Sequence, residues 1–139
     1  MQLNRSTDYA IQMLVYLAKA GKTVSSSKLA AAIDVSHRYL LQISAKLRAA
    51  GFIWAAHGPS GGLALDKAPE EISLYDVILG MEGIIKTGEI CGVPSDEVSK
   101  EMLMLKNEYR KVDCMLERVL KEITLARIME VAKKTNFSQ

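Results

Sequence analysis

Several features are scarce in this sequence of 139 residues, and each scarcity removes a class of protein. Two cysteines, Cys91 and Cys114, are too few and too far apart to form the disulfide framework of a small secreted domain. No uninterrupted apolar run of about 18 residues occurs, which argues against a membrane-spanning helix. The first turns carry Arg5 and Asp8 among apolar residues and do not resemble a signal peptide. We therefore expect a globular, cytoplasmic protein with no membrane partner.

Charge is distributed unevenly along the chain. Residues 1–62 contain seven Lys or Arg against two acids, a net charge of +5, whereas residues 63–139 have a net charge of −3. A basic part joined to a mildly acidic part is typical of a polyanion-binding module with an appendage. Because an excess of five charges is modest, charge alone does not separate this interpretation from a chance distribution.

The N-terminal part predicts three helices followed by a hairpin. Apolar residues recur at helical spacing in each helix, and Gly21 and Gly51 follow the first and third helices as candidate ends. Ser36 precedes the third helix as a candidate N-cap. A turn with three glycines and a proline at 57–62 joins the two strands. The predicted helices are 5–20, 28–33 and 37–50, and the predicted strands are 52–56 and 63–65.

The C-terminal part predicts a helix at 74–81, a loop, one long helix at about 96–122 and a last short helix capped by Thr124. Apolar residues of the long helix alternate at spacings of four and three, which is the heptad pattern of a helix that pairs with another. The predicted dimerisation residues are Val98, Met102, Leu105, Tyr109, Val112, Leu116 and Val119.

The order helix, short helix, turn, helix, hairpin is the winged helix-turn-helix pattern. We expect a mainly α fold with a small β-hairpin wing and a long C-terminal dimerisation helix. The predicted units are a DNA-binding domain at 1–82, a linker or sensor-like loop at 83–95, and a dimerisation helix with a C-terminal helix at 96–139.

In such a fold the third helix enters the major groove, and its outward donors contact base edges. Gln42 is suited to adenine and Arg38 to guanine, while Tyr39 can donate to a phosphate. The glycine-rich wing tip can approach a phosphate or the minor groove closely. The predicted DNA-binding residues are Ser36, His37, Arg38, Tyr39, Gln42, Arg48, His57, Gly58, Ser60, Gly61 and Gly62.

Two further classes of function compete with DNA binding. The same scaffold occurs in protein-interaction modules, whose main surface here would be the long helix. An enzyme is not expected, because the Gly58–Gly62 turn lacks the Gly-Lys-Ser/Thr ending of a phosphate-binding loop and neither histidine has an obvious carboxylate partner nearby in sequence.

The segment 39–65, YLLQISAKLRAAGFIWAAHGPSGGLAL, resembles the Rrf2 family of regulators, which includes IscR, NsrR and CymR. The wing pattern Gly-Pro-x-Gly-Gly at 58–62 and the stretch PEEISL at 69–74 carry most of the resemblance. It implies a homodimer that binds a palindromic operator, usually as a repressor. Three positions depart from the family pattern, since the wing opens with His57 instead of Arg, Leu63 replaces Tyr, and Leu41 stands where some members have Glu.

Cluster-binding members of this family have three cysteines before the long helix, and here only Cys91 matches. Asp8 matches an acidic fourth ligand of some members, and Cys114 lies inside the long helix. We therefore expect no cofactor, with an iron–sulfur cluster on Cys91, Cys114 and Asp8 as a less favoured hypothesis. Control by a reversible thiol sensor, a regulatory partner protein or a small-molecule effector is also compatible with the sequence.

Overall fold

The computed structural model describes residues 2–83, 85 and 99–135. In that part of the chain, six α-helices surround one antiparallel hairpin, so the predicted mainly α fold with a β-hairpin wing is confirmed. A 3-10 turn at Pro69–Glu71 precedes the fourth helix. The elements are α1 (Arg5–Ala20), α2 (Ser26–Ala32), α3 (His37–Ala49), β1 (Ile53–Ala56), β2 (Gly62–Leu65), α4 (Leu74–Glu82), α5 (Lys100–Glu122) and α6 (Leu125–Lys134).

Hydroxyl side chains fix where the helices begin. Ser36 Oγ accepts from the Tyr39 amide at 3.1 Å, and Thr124 caps α6 as predicted. Of the three serines at 25–27, Ser25 is the cap, and α2 therefore begins two residues before the predicted start. Ser99 caps α5, so that helix begins at Lys100 and not near residue 96. Apolar spacing alone does not define the first residue of a helix, whereas a capping hydrogen bond does.

One hydrophobic core joins the N-terminal helices to the wing and the C-terminal helix. Met13, Leu14 and Leu17 of α1 lie fully buried against α3. Leu125, the first residue of α6, is 1% exposed and belongs to the same core. The other buried core residues are Ala10, Val24, Leu29, Ala30, Leu40, Ile43, Leu47, Phe52, Ile53, Leu63, Ile72 and Val77.

The wing is held to the body by backbone hydrogen bonds. Ile53 pairs with Leu65 and Ala56 with Gly62 in the antiparallel register of β1 and β2. Val24 adds a bridge on the other side of β2, because its amide donates to the Leu63 carbonyl at 2.9 Å and its carbonyl accepts from the Leu63 amide at 2.8 Å. The root of the wing is therefore fixed relative to the helices.

The end of α5 is fastened to the start of α4. The Leu74 amide donates to the Ile123 carbonyl at 2.8 Å, and the Leu125 amide donates to the Ile72 carbonyl at 3.0 Å. Beside this bridge, the Lys121 ammonium lies 4.8 Å from the centre of the Tyr75 ring. The last turns of the long helix are thus attached to the N-terminal body, from which the helix extends over about 35 Å.

Lys121 also pairs with Glu117 on the surface of α5, with 2.7 Å between Nζ and Oε1. The hydrogen bond that the Lys121 ammonium donates to the Glu117 carboxylate raises the pKa of Lys121. The helix α6 packs on α1. The predicted division into units at 1–82, 83–95 and 96–139 stays a prediction. None of the helices in the described ranges is long and apolar enough to cross a membrane.

Candidate nucleic-acid interface

The helix α3 has one buried side and one exposed side. Leu40, Ile43 and Leu47 are each at most 1% exposed and fix the helix to the core. The hydroxyl of Ser44 is buried with them and donates to the Leu40 carbonyl at 2.7 Å, so its polar atom is satisfied within the helix. The opposite side is therefore presented in a fixed orientation.

Most of the polar residues predicted for DNA binding lie on this exposed side. His37, Arg38, Gln42 and Arg48 are exposed, as is Lys46. The helix contains no acidic residue, so no carboxylate opposes a phosphate along its length. The structure thus brings these predicted donors onto one basic face.

Tyr39 differs from the other predicted contacts on α3, because it is only partly exposed. Its ring packs edge-on against Tyr9 of α1, with 5.8 Å between the ring centroids. This packing makes Tyr39 part of the contact between α1 and α3. Its predicted hydrogen bond to a phosphate stays a prediction.

Two apolar residues outside the predicted DNA-binding set lie on the exposed side. The sequence analysis named Leu41 only as a departure from the family pattern, and it did not name Ala45. Leu41 is 46% exposed, and Ala45 is also exposed one helical turn later. They lie between Arg38 and Arg48 along the helix, which places apolar surface in the middle of the polar face. The sequence alone predicts that both residues are exposed, because neither position continues the buried apolar stripe of Leu40, Ile43 and Leu47.

A groove of about 560 Å³ separates α3 from the wing. Arg48 of α3 and His57 of the wing both line it, so two of the predicted contacts come together although nine positions separate them. Ser25 and Ser26 at the start of α2 line the same groove and were not predicted. Its other lining residues are Leu41, Ser44, Ala45, Ala55, Ala56, Gly58, Pro59, Gly61, Gly62 and Leu63.

Two glycines of the wing are required by the protein's own packing. A Cβ on Gly62 would collide with the backbone carbonyl of Val24, and one on Gly61 would collide with that of Ala56. The sequence analysis assigned both glycines to close approach by DNA. Their contacts within the chain provide a structural reason that is independent of DNA.

The predicted dimerisation residues divide into two groups on α5. Met102, Tyr109 and Leu116 are partly buried, while Leu105, Val112 and Val119 are exposed. Val98 lies outside the described residues. Two methionines that the heptad pattern does not include, Met104 and Met115, are each 58% exposed. We call the exposed set the α5 stripe, and it consists of Met104, Leu105, Val112, Met115 and Val119.

The chain matches one protein-family model over most of its length. The model of a family described as Rrf2, iron-dependent transcriptional regulator, matches residues 3–131. The chain belongs to the Rrf2 family. This membership confirms the resemblance seen in the sequence and the prediction of a DNA-binding transcriptional regulator.

Individual relatives are similar to this Rrf2 regulator over nearly its whole length. The transcriptional regulator NsrR of Halalkalibacterium halodurans is 30% identical over 132 residues, which are 93% of this chain and 90% of that protein. The structure of T. potens IscR has a TM-score of 0.77 and 28% identity, and covers 100% of this chain and 93% of its own. The structure of CymR, the global cysteine regulator of B. subtilis, has a TM-score of 0.79 and 25% identity, with coverage of 98% and 99%.

The description of the Rrf2 family as iron-dependent raises the question of an iron site in this protein. Among residues 2–83, 85 and 99–135, no three His, Cys, Asp or Glu side chains form a group that could hold a metal ion. Asp8 is exposed on α1 and Cys114 is exposed on α5. The described residues therefore do not by themselves form a binding site for iron. The predicted ligand set of Cys91, Cys114 and Asp8 is only partly described, because Cys91 lies outside the described residues.

Proposed function

We propose that this Rrf2 regulator reads a palindromic operator with the exposed face of α3 and represses transcription from it. The observation that carries the proposal is the acid-free face on which Arg38, Gln42 and Arg48 are exposed together. A rigid helix with exposed donors suits direct readout of the major groove, where each base pair has its own donor and acceptor pattern. A regulator bound there acts in the cytoplasm, by occupying DNA and not by catalysis.

Each exposed group of α3 has a matching feature on DNA. Arg38 suits the two acceptors of guanine, and Gln42 suits the donor and acceptor of adenine. Leu41 and Ala45 present apolar surface that suits the thymine methyl group. These two residues should therefore give a preference for thymine near the centre of each half-site. An acidic residue at position 41 would instead accept a hydrogen bond from a base edge.

The wing and the groove beside it suit the phosphate backbone. His57 is exposed at the start of the wing tip, and Arg48 lines the same groove from α3. Ser60 and Gly58 lie at the exposed tip. Contacts of this kind position a protein on the duplex without reading sequence.

The α5 stripe supports a homodimer. Its five apolar residues follow one side of the helix and are each between 37% and 58% exposed, a solvent-facing apolar surface that a second copy of the same helix would cover. Two copies of α3 would then be related by a two-fold axis, as a palindromic operator requires. Tyr109 and Leu116 would border the contact and not form its centre, because each is already partly covered within its own protomer.

The salt dependence of binding tests DNA recognition itself. The probe is a duplex that the wild-type protein selects from a random-sequence pool. The logarithm of the association constant should fall linearly with the logarithm of salt concentration, with a slope of about −0.9 for each phosphate contacted. A slope near zero, or failure to retain any duplex from the pool, would favour a protein-interaction module instead.

A further inference from the structure

The first residues of α2 and α3 are joined by a hydrogen bond. Ser26 Oγ and His37 Nε2 are 2.8 Å apart, although eleven positions separate the two residues. The His37 side chain belongs to the face of α3 proposed to meet DNA, and Ser26 lines the groove beside that face. The contact therefore connects a residue outside the recognition helix to the first residue of that helix.

A neutral imidazole has one N–H, and the hydrogen bonds of its two nitrogens together decide which nitrogen bears it. A serine hydroxyl can donate to Nε2 or accept from it. If the Ser26 hydroxyl donates to Nε2, the proton of the neutral ring lies on Nδ1. DNA phosphates, and the guanine and adenine N7 atoms, are acceptors, so they favour a ring whose free nitrogen is a donor. Without the hydroxyl, the neutral ring is free to keep its proton on Nε2 and to present Nδ1 as an acceptor.

We propose that Ser26 is a positioning residue for operator binding, which holds neutral His37 as the Nδ1–H tautomer so that the ring donates to DNA without taking up a proton. The proposal rests on the function proposed above for α3. Ser26 acts through His37 and does not itself need to touch DNA.

The hydrogen-bond partner of the His37 ring, among the residues that the structure describes, is Ser26.

Ser26→Ala removes the hydroxyl, and Ser27→Ala is the matched control, since Ser27 is its exposed neighbour on α2. The probe is the duplex selected by the wild-type protein. At about pH 8, Ser26→Ala should bind it roughly three- to tenfold more weakly than Ser27→Ala, the usual effect of one hydrogen bond. Ser26→Thr keeps a hydroxyl and should restore most of the affinity.

Nitrogen-15 correlation spectra of the imidazole rings provide a readout that needs no DNA. The chain has two histidines, so a His57→Gln variant leaves the His37 signals alone and assigns them. At about pH 8 the His37 ring should be mainly Nδ1–H in the protein with Ser26 and mainly Nε2–H in Ser26→Ala.

Equal operator affinity of Ser26→Ala and Ser27→Ala would overturn the proposal. An affinity defect of Ser26→Ala with no change of the His37 tautomer would also overturn it, because it would reveal a structural role that does not depend on the ring proton. If the wild-type protein bound no duplex at all, the proposed function would fail while the tautomer spectra still tested the role of Ser26.

Discussion

Replacing Val112 and Val119 with glutamate should convert the protein into a monomer and weaken operator binding by at least about 100-fold. Both side chains are about half exposed in the protomer, at 48% and 50%, so the substitutions leave its own core intact. In a dimer they would place four carboxylates on an apolar contact, where unpaired charges are strongly disfavoured. The loss in affinity follows because a monomer binds one half-site, and linked binding at two sites is worth about 10²–10⁴-fold.

The long helix offers a matched control on its polar side. Asn107 and Cys114 are exposed and seven residues apart, the same spacing as Val112 and Val119. Asn107→Glu with Cys114→Glu therefore adds the same charge to the same helix without replacing any residue of the α5 stripe, although both residues lie beside Met104 and Met115. Light scattering should give a dimer for this control and a monomer for the valine variant, with equal helical circular dichroism. A dimer for both would show that the α5 stripe is not the contact.

Arg38→Ala and Gln42→Ala should each cost about 1–3 kcal/mol of operator binding, which is roughly 5- to 150-fold in affinity. The reason is that each removes a two-point contact to a base edge while leaving the buried side of α3 unchanged. The loss should be confined to the preferred sequence, so that each variant tolerates a substitution at one base pair of the half-site. Titration against duplexes with single base-pair changes measures this.

Lys46→Ala is the control for the recognition helix. Lys46 is exposed on α3 at the flank of the face, so its removal should weaken binding to all duplexes about equally and reduce the salt slope by about one. If Arg38→Ala and Gln42→Ala behaved like Lys46→Ala, α3 would contact only phosphates. If neither variant changed affinity, another element would be the reader.

Local chemistry made much of the fold predictable. The apolar spacing of α1, α3 and α6 and the polar caps Ser36 and Thr124 specify helices over a few residues each, and those helices formed as predicted. The glycine-rich turn likewise specified the hairpin. The start of α2 was less certain, because three adjacent serines are equal candidates until the chain selects Ser25.

Features that depend on contacts between distant parts of the chain could not be predicted from the local sequence. The heptad pattern of α5 treats all its apolar residues alike, yet Leu116 is partly covered within the protomer while Val112 is exposed. The bridge between residues 72–74 and 123–125 attaches that side of α5 to the body, and periodicity contains no information about it. The Ser26–His37 hydrogen bond is of the same kind, since it depends on how α2 and α3 are packed.

The sequences of the duplexes that the wild-type protein selects from a random pool test most directly whether two α3 helices read DNA together. We expect a palindrome whose half-sites are centred about one helical turn, roughly 10 base pairs, apart, with two protomers bound per duplex. A pool that stays random, or a single unrepeated motif bound by one protomer, would contradict this function.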